Sequence, residues 1–379
     1  SAFASSRLTA LPKSWGKVTS IGESAFNANS NLSEIPDSWG SVKAIGKNAF
    51  RGGALTRLPD SWGLLTEINE GVFGANKLQS LPKSWENITS IGKEAFFSNT
   101  NLTALPDSWG NVSQIGETAF YNCGLTSLPN SWGKITTLPR YAFKENKLVS
   151  LPDWGPITSV GQEVFRHNQL TELPESWENV SQLGVGAFQD NKLKAVPDSW
   201  GKLTRLPKDV FENNEITSLH SLGSITSIGE SAFKNNEITS LHSWGSVTTI
   251  GKSAFEKNKL VKLPDSWENV SRLDTSSFAS NLLTSLPDSW GKITTIPERA
   301  FYDNQLAALP AWGAVTTIGQ SAFVRNNLTV LPPQWDSVTT IGECAFAGKS
   351  TYKYFNVNSD NLPSCSGGDA NAANNNQIQ

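Results

Sequence analysis

Methionine is absent from this sequence, and histidine and cysteine are scarce, at three residues each. Three cysteines are too few for a disulfide framework. Cys344 and Cys365 both lie near the C-terminus and are placed to clip the last part of the chain, which leaves Cys123 as the odd one out. An extracellular setting fits this usage but is not required by it. No block of Lys or Arg stands out and the net charge is −3, so nothing points to nucleic acid or to an anionic membrane. No apolar run approaches the roughly 18 residues needed to span a bilayer. No Gly-rich phosphate loop occurs. The first residues, SAFASSRL, fall in phase with the later phrase SAFNANSNL, so the sequence starts in the middle of a repeat. It reads as a processed product or a piece of a longer chain, with any signal peptide upstream.

Tryptophan is abundant, with fourteen residues. They fall at Trp15, Trp39, Trp62, Trp85, Trp109, Trp132, Trp154, Trp177, Trp200, Trp244, Trp267, Trp290, Trp312 and Trp335. Leu222 fills the one gap, and the steps are 22, 23 or 24 residues throughout. A phenylalanine ladder runs beside it, from Phe3 and Phe26 to Phe323 and Phe346. A fixed period of 20 to 30 residues is the signature of a solenoid. The unit reads L-T-x-L-P-D-S-W-G-x-V-T-x-I-G-x-x-A-F-x-x-N-x. The L-T-x-L and V-T-x-I stretches suit short strands. Proline stops the first of these and Asp-Ser starts a turn. Such a coil cannot bury its own apolar face, so its stability comes from stacking on its neighbours.

The Asn three residues after Phe recurs in most coils, as at Asn76, Asn146 and Asn191, and Cys123 takes its place once. A buried Asn there can satisfy backbone groups of its own coil and of a neighbour. An N-or-C position followed by x-L-x-x-L is the leucine-rich repeat pattern.

The phrases VTSIGESAF and IGETAFYNCGLTSLP resemble the BspA-like leucine-rich repeats of bacterial and protist surface proteins. The resemblance covers about residues 1 to 350. It implies a right-handed solenoid of about 15 units of 22–24 residues, with short parallel strands and little regular helix. Residues 1–349 form the solenoid in this reading, and 350–379 a cap followed by a disordered tail. The sequence departs from the family in having L-P where the family has I-x-I-P, in S-W-G, and in using Asn more often than Cys. L-T-x-L-P is favoured as the strand of the concave face, with V-T-x-I-G-x-x-A-F on the other side. At the usual strand spacing fifteen coils would extend roughly 70 Å.

A catalytic site should break the repeat, and few breaks exist. His220 and His242 occupy equivalent positions in successive coils, close enough in principle to share a metal, but no Cys or carboxylate cluster accompanies them. The blander reading is that His replaces Pro in two shortened coils. Aspartates follow the prolines at Asp37, Asp60, Asp107, Asp153, Asp198, Asp265 and Asp288, and are read as turn caps rather than as paired acids. Seven N-x-S/T sequons occur, at Asn31, Asn87, Asn101, Asn111, Asn179, Asn269 and Asn327. Several of them are by-products of the repeat.

The tryptophans are read as a packing ladder, because Leu222 can fill a core position but would break a stacking platform. Binding is expected where the repeat leaves its letters free. One such column follows S-W-G, with Lys17, Lys134 and Lys202, and another follows A-F, with Arg166 and Tyr302. The expected function is non-enzymatic binding at a cell surface or outside the cell, most simply adhesion to a host, matrix or cell-surface protein, with no cofactor and no metal. The alternatives are a structural spacer that displays another domain and a carbohydrate-binding module that uses exposed Trp.

Overall fold

The computed structural model describes residues 1–219, 222–265 and 267–346. The chain forms two compact units, Ser1–Lys192 and Leu193–Gln379. Each is a stack of the same coil, and the chain makes about 14 turns in all. The first and last of the fifteen sequence units are partial. The segment 350–379 lies outside the described residues.

The coil that begins at Leu65 shows how the phrase folds. Glu67–Ile68 is a two-residue strand, parallel to Ser90–Ile91, which in turn pairs with Gln114–Ile115. Its bonds run backwards, with each coil donating to the one before it: the Thr89 amide reaches the Thr66 carbonyl at 2.8 Å and the Gly92 amide that of Ile68 at 2.7 Å. The chain then passes through tight turns around Phe73. Gly71 and Ala75 take left-handed φ values of 62° and 54°, and the Gly74 amide closes a turn on Gly71. This alternation aims every second amide at the following coil, Gly71 to Lys93 at 2.8 Å and Phe73 to Ala95 at 2.9 Å. Non-glycine residues hold the left-handed conformation at these positions in most coils, Thr118 and Tyr141 among them, and glycine does so at Gly52, Gly71 and Gly186. Each costs about 1–2 kcal/mol, offset by the bonds that the geometry allows.

Of the two stretches that suit short strands, V-T-x-I carries the strand in nearly every coil, and L-T-x-L-P, favoured from sequence for the concave face, is strand only at Ser218–Leu219 and Ser240–Leu241 among the described residues. Along L-T-x-L only two backbone bonds form per coil, such as Lys77 to Leu55 and Gln79 to Thr56. The amide between them, that of Leu78, faces the following coil and is taken by the side chain of Asn99 at 3.1 Å, as that of Leu55 is by Asn76 at 3.0 Å. Proline then removes a donor and ends the row. Where His stands in place of proline the row does become regular: Ser218–Leu219 pairs in parallel with Ser240–Leu241.

The interior is aromatic. In the first unit Phe26 and Phe50 stack at 5.2 Å and Trp85 and Trp109 at 6.0 Å; in the second Phe233 and Phe255 stack at 5.4 Å and Trp267 and Trp290 at 6.3 Å. The tryptophans at 39, 62, 85, 109, 132, 154, 177, 200, 244, 267, 290 and 312 are buried, whereas Trp15 and Trp335 are half-buried. Each buried ring removes about 150–250 Å² from water. At about 25 cal/mol per Å² that is roughly 4–6 kcal/mol as an upper estimate. A platform of exposed tryptophans for sugar binding is therefore absent between Trp39 and Trp312 among the described residues.

The ladder has two corner geometries. In the first unit the residue after Trp is right-handed, as at Gly63 with φ −63°. The indole Nε1 there donates to a carbonyl of the preceding coil, from Trp85 to Pro59 at 3.0 Å and from Trp109 to Pro82 at 2.9 Å. Trp132 is the exception, with a buried indole N–H that has no partner. In the second unit Gly223, Gly245, Glu268, Gly291 and Gly313 are all left-handed, with φ between 42° and 57°. The Trp244, Trp267, Trp290 and Trp312 indoles there lack a hydrogen-bond partner. Their planes stand more steeply against Phe, at 69° for Trp244–Phe255 against 39° for Phe73–Trp85. Leu222 breaks the ladder and leaves a cavity of about 40 Å³ lined by Trp200, Leu206, Leu219 and Phe233.

The aspartates do not cap their turns. The amide that Asp37 would cap, that of Trp39, is already bonded to the Pro36 carbonyl at 3.1 Å. The neighbouring serine acts instead, joining coils through Ser84 Oγ to the Asp60 carbonyl at 2.7 Å and Ser108 Oγ to that of Lys83 at 2.6 Å.

Candidate functional site

The ladder asparagines hold the coils together and are not free for a ligand. Asn146 Nδ2 donates to the carbonyl of Phe120 in the preceding coil and to that of Phe143 in its own, at 2.8 and 3.0 Å. Its Oδ1 accepts the Leu125 amide at 3.1 Å. Asn191 repeats the pattern with Phe165, Phe188 and Leu170. Cys123 has only a sulfur to offer, 3.3 Å from the Phe96 carbonyl. Burial pushes its pKa up to about 12, so the thiol is unreactive near neutral pH. Cys344 is buried, and its expected partner Cys365 lies outside the described residues. His220 lies outside them too, while His242 Nδ1 sits 3.4 Å from the Leu219 carbonyl. Among the described residues no group of three or more His, Cys, Asp or Glu is arranged to hold a metal.

The free letters fall into two columns. Lys17 and Lys134 are exposed on the corner after Trp in the first unit, and Lys202 on that corner in the second. Lys134 Nζ donates to Asn111 Oδ1 at 2.7 Å. Arg166 belongs to the column after Phe in the first unit, and Tyr302 to that column in the second. Within the first unit, Lys17 and Lys134 stand on the corner after Trp and Arg166 in the column after Phe.

The column after Phe is where the first unit gathers unlike groups. Phe97 and Tyr121, from adjacent coils, stack at 5.5 Å with planes 9° apart. The Arg51 guanidinium lies 5.6 Å from the Phe97 ring centre, and Lys144 Nζ 5.9 Å from that of Tyr121 and 5.3 Å from that of Tyr141. Arg140 sits over Tyr141 at 4.9 Å. Acids balance these cations: Arg51 with Glu94 at 2.7 Å, Lys144 with Glu163 at 2.7 Å, and Arg166 with Glu163 and Asp190 at 3.2 and 3.0 Å. Tyr121 donates its hydroxyl to Glu145 at 2.8 Å. Burial first, and then Glu145, raise the Tyr121 pKa. Burial alone would raise that of Glu163, but the bond and charge of Lys144, with Gln162 and Arg166, outweigh it and hold the carboxyl low. Burial opposes the charge on Arg166, and Asp190 and Glu163 more than restore it.

This row is half-buried and close to neutral. Its rings are engaged with one another and with cations, so it offers little open ring face for a sugar to stack on. It offers Phe beside Tyr and Arg, and the last two are residue types enriched in protein-binding hot spots. The second unit has a smaller counterpart, with Tyr302 between Arg299 at 5.6 Å and Arg325 at 5.4 Å. Sequence reasoning found Arg166 and Tyr302 but missed Phe97, Tyr121, Tyr141 and Lys144. The signal was legible, since FFSN, FYNC and RYAFK put aromatics where the repeat is otherwise polar or small.

A family model described as the BspA-type leucine-rich repeat region, in six copies, matches residues 1–79, 66–194 and 204–329. Among solved structures, a leucine-rich repeat protein from Bacteroides ovatus is similar at 23% identity and TM-score 0.63, over 86% of this chain and 87% of that one. Drosophila Toll, in its complex with Spätzle, is similar at 17% identity and TM-score 0.53, over 79% of this chain and 43% of that one. Likeness at this level concerns the fold alone. No curated protein matches the sequence.

Proposed function

This chain belongs to the BspA-type leucine-rich repeat family, and from that premise we propose that it is a non-enzymatic protein-binding solenoid displayed outside the cell. Leucine-rich repeat proteins typically bind proteins and are generally not enzymes. Adhesion to a host, matrix or cell-surface protein is the role we assign. One observation carries this reading: the first unit departs from its repeat along the column after Phe, and there it gathers Arg51, Phe97, Tyr121, Lys144 and Arg166 into one bonded row. Buried Trp and Asn make the scaffold, and variation is concentrated where it does not disturb the coils. A charge-balanced row predicts binding that depends only weakly on salt.

The test is capture of matrix and cell-surface proteins by the full chain, compared with the Tyr121→Ala, Arg166→Ala double variant. A saturable partner held by the native chain and lost by the variant, with circular dichroism unchanged, supports the reading. Recovery of nothing by the native chain favours a structural spacer. Sharp hits on a glycan array, without a protein partner, favour a carbohydrate module.

A further inference from the structure

Two coils of the first unit carry one residue more than their neighbours between the ladder Asn and the next Leu. They read Asn29-Ser30-Asn31-Leu32 and Asn99-Thr100-Asn101-Leu102. In an ordinary coil that Leu donates its amide to the Asn side chain of the following coil, as Leu78 does to Asn99 at 3.1 Å. In the two longer coils the amide folds back instead. Leu32 donates to the Asn29 carbonyl and Leu102 to that of Asn99, each at 2.9 Å, closing a four-residue turn. The following coil has adapted to this. Its ladder position holds Gly53 or Cys123 in place of Asn, and the next residue is small, Ala54 or Gly124. A Cβ on Gly124 would stand 2.6 Å from the Thr100 carbonyl oxygen. The inserted turn presses against the following coil at its base, while Asn31 and Asn101 stay exposed at its tip.

Both tips spell a sequon, Asn31-Leu32-Ser33 and Asn101-Leu102-Thr103. Among the described residues neither side-chain amide has a hydrogen-bond partner. The sequons beside tryptophan differ. Asn87 Nδ2 donates to the Gly63 carbonyl at 2.9 Å, Asn111 Nδ2 to that of Glu86 at 3.0 Å, and Asn269 Nδ2 to that of Gly245 at 3.4 Å. In that class the nitrogen a glycan would occupy is committed to joining coils.

We propose that Asn31 and Asn101 are acceptor sites for N-linked glycans and that Asn87, Asn111 and Asn269 are not. In the transfer, Nδ2 bonds to C1 of the first N-acetylglucosamine of a lipid-linked oligosaccharide. The bond from C1 to the pyrophosphate oxygen breaks, the lipid pyrophosphate leaves, and Nδ2 gives up one proton to the transferase. No oxidant or reductant is involved. The proposal rests on the extracellular reading but not on the protein-binding row.

The full chain, placed behind a secretion leader in eukaryotic cells, provides the test. Peptide-N-glycosidase in heavy-oxygen water converts each glycan-bearing Asn to labelled Asp, which mass spectrometry locates. Label at Asn31 and Asn101, without label at Asn87, Asn111 and Asn269, is the expected result. The double variant Asn31→Gln, Asn101→Gln should then lose the mass of two glycans and remain folded. Secreted, folded protein without label at Asn31 and Asn101 overturns the proposal. Equal label at all five sites overturns it too, because transfer would then ignore the folded geometry. Because the leader is supplied, failure here would not bear on the binding reading, which the capture experiment tests separately.

Discussion

The side-chain amide of Asn76 donates to the carbonyl of Phe50, one coil earlier, at 2.8 Å, while its Oδ1 accepts the Leu55 amide at 3.0 Å. It also donates to Phe73 in its own coil at 3.0 Å. Asn76→Ala leaves the Phe50 carbonyl and the Leu55 amide without partners, whereas the Phe73 carbonyl keeps its bond from Asn99 Nδ2 at 2.9 Å. Each such loss costs about 1–3 kcal/mol, so the variant should lose roughly 2 kcal/mol or more in urea unfolding. A change below about 0.5 kcal/mol would show that water replaces the amide.

Tryptophan truncation should be costly and should separate packing from hydrogen bonding. Trp132 is fully buried, so Trp132→Ala should cost about 3–5 kcal/mol. Its indole N–H is unpaired whereas that of Trp85 is bonded to Pro59. Trp85→Phe should therefore cost about 1 kcal/mol more than Trp132→Phe. Acrylamide should quench the native fluorescence only weakly, because just two of the fourteen tryptophans lie at half-buried ends.

Glu268 is a left-handed residue without glycine's freedom, at φ 42°. Glu268→Gly should raise stability by about 1 kcal/mol. Glu86 follows Trp in the first unit, where the corner is not left-handed, and Glu86→Gly should give no such gain. Thermal melting of the two variants tests the contrast, and equal shifts would refute it.

The gap at Leu222 should be the soft point of the second unit. Filling its cavity of about 40 Å³ is worth roughly 1 kcal/mol. Leu222→Trp should give that gain in urea unfolding and slow amide exchange at Ile225 and Ile228. Unchanged exchange with lower stability would mean that the cavity is too narrow for an indole.

Acid should weaken the row in the first unit. The folded carboxyl of Glu163 titrates below its ordinary range. The stabilisation from Lys144 and Arg166 is thus complete above the unfolded carboxylate pKa of about 4.3 and is lost as pH falls through the lower folded value. Urea midpoints measured from pH 6 down to pH 3 should fall more steeply for the native chain than for Glu163→Gln. Parallel curves would show that the pair contributes nothing.

The ladders were legible in the sequence because each uses one residue type for one job, so Phe, Trp and Asn mark the period directly. Both L-T-x-L and V-T-x-I suit strands as letters, so the sequence did not show which of them pairs regularly. The difference lies in which amides are already taken, by the Asn76 side chain in one stretch and by none in the other. The two corner geometries were illegible for a similar reason. Gly63 and Gly291 are the same residue, and glycine adopts either hand of φ. The row at Phe97, Tyr121 and Lys144 needed three adjacent coils to be superposed before its parts became neighbours.

The two sets of backbone bonds run in opposite senses, since the strand amides reach back to the preceding coil and the amides around Phe reach forward to the following one. Every ordinary coil thus presents the same pair of seams to its successor as its predecessor presented to it. Removing or duplicating one whole coil rejoins matching seams, so tandem duplication can lengthen or shorten such an array without redesign. The longer coils are the exception. The turn at Thr100 fits only against Gly124, so those two coils must be inherited together, as a single cassette.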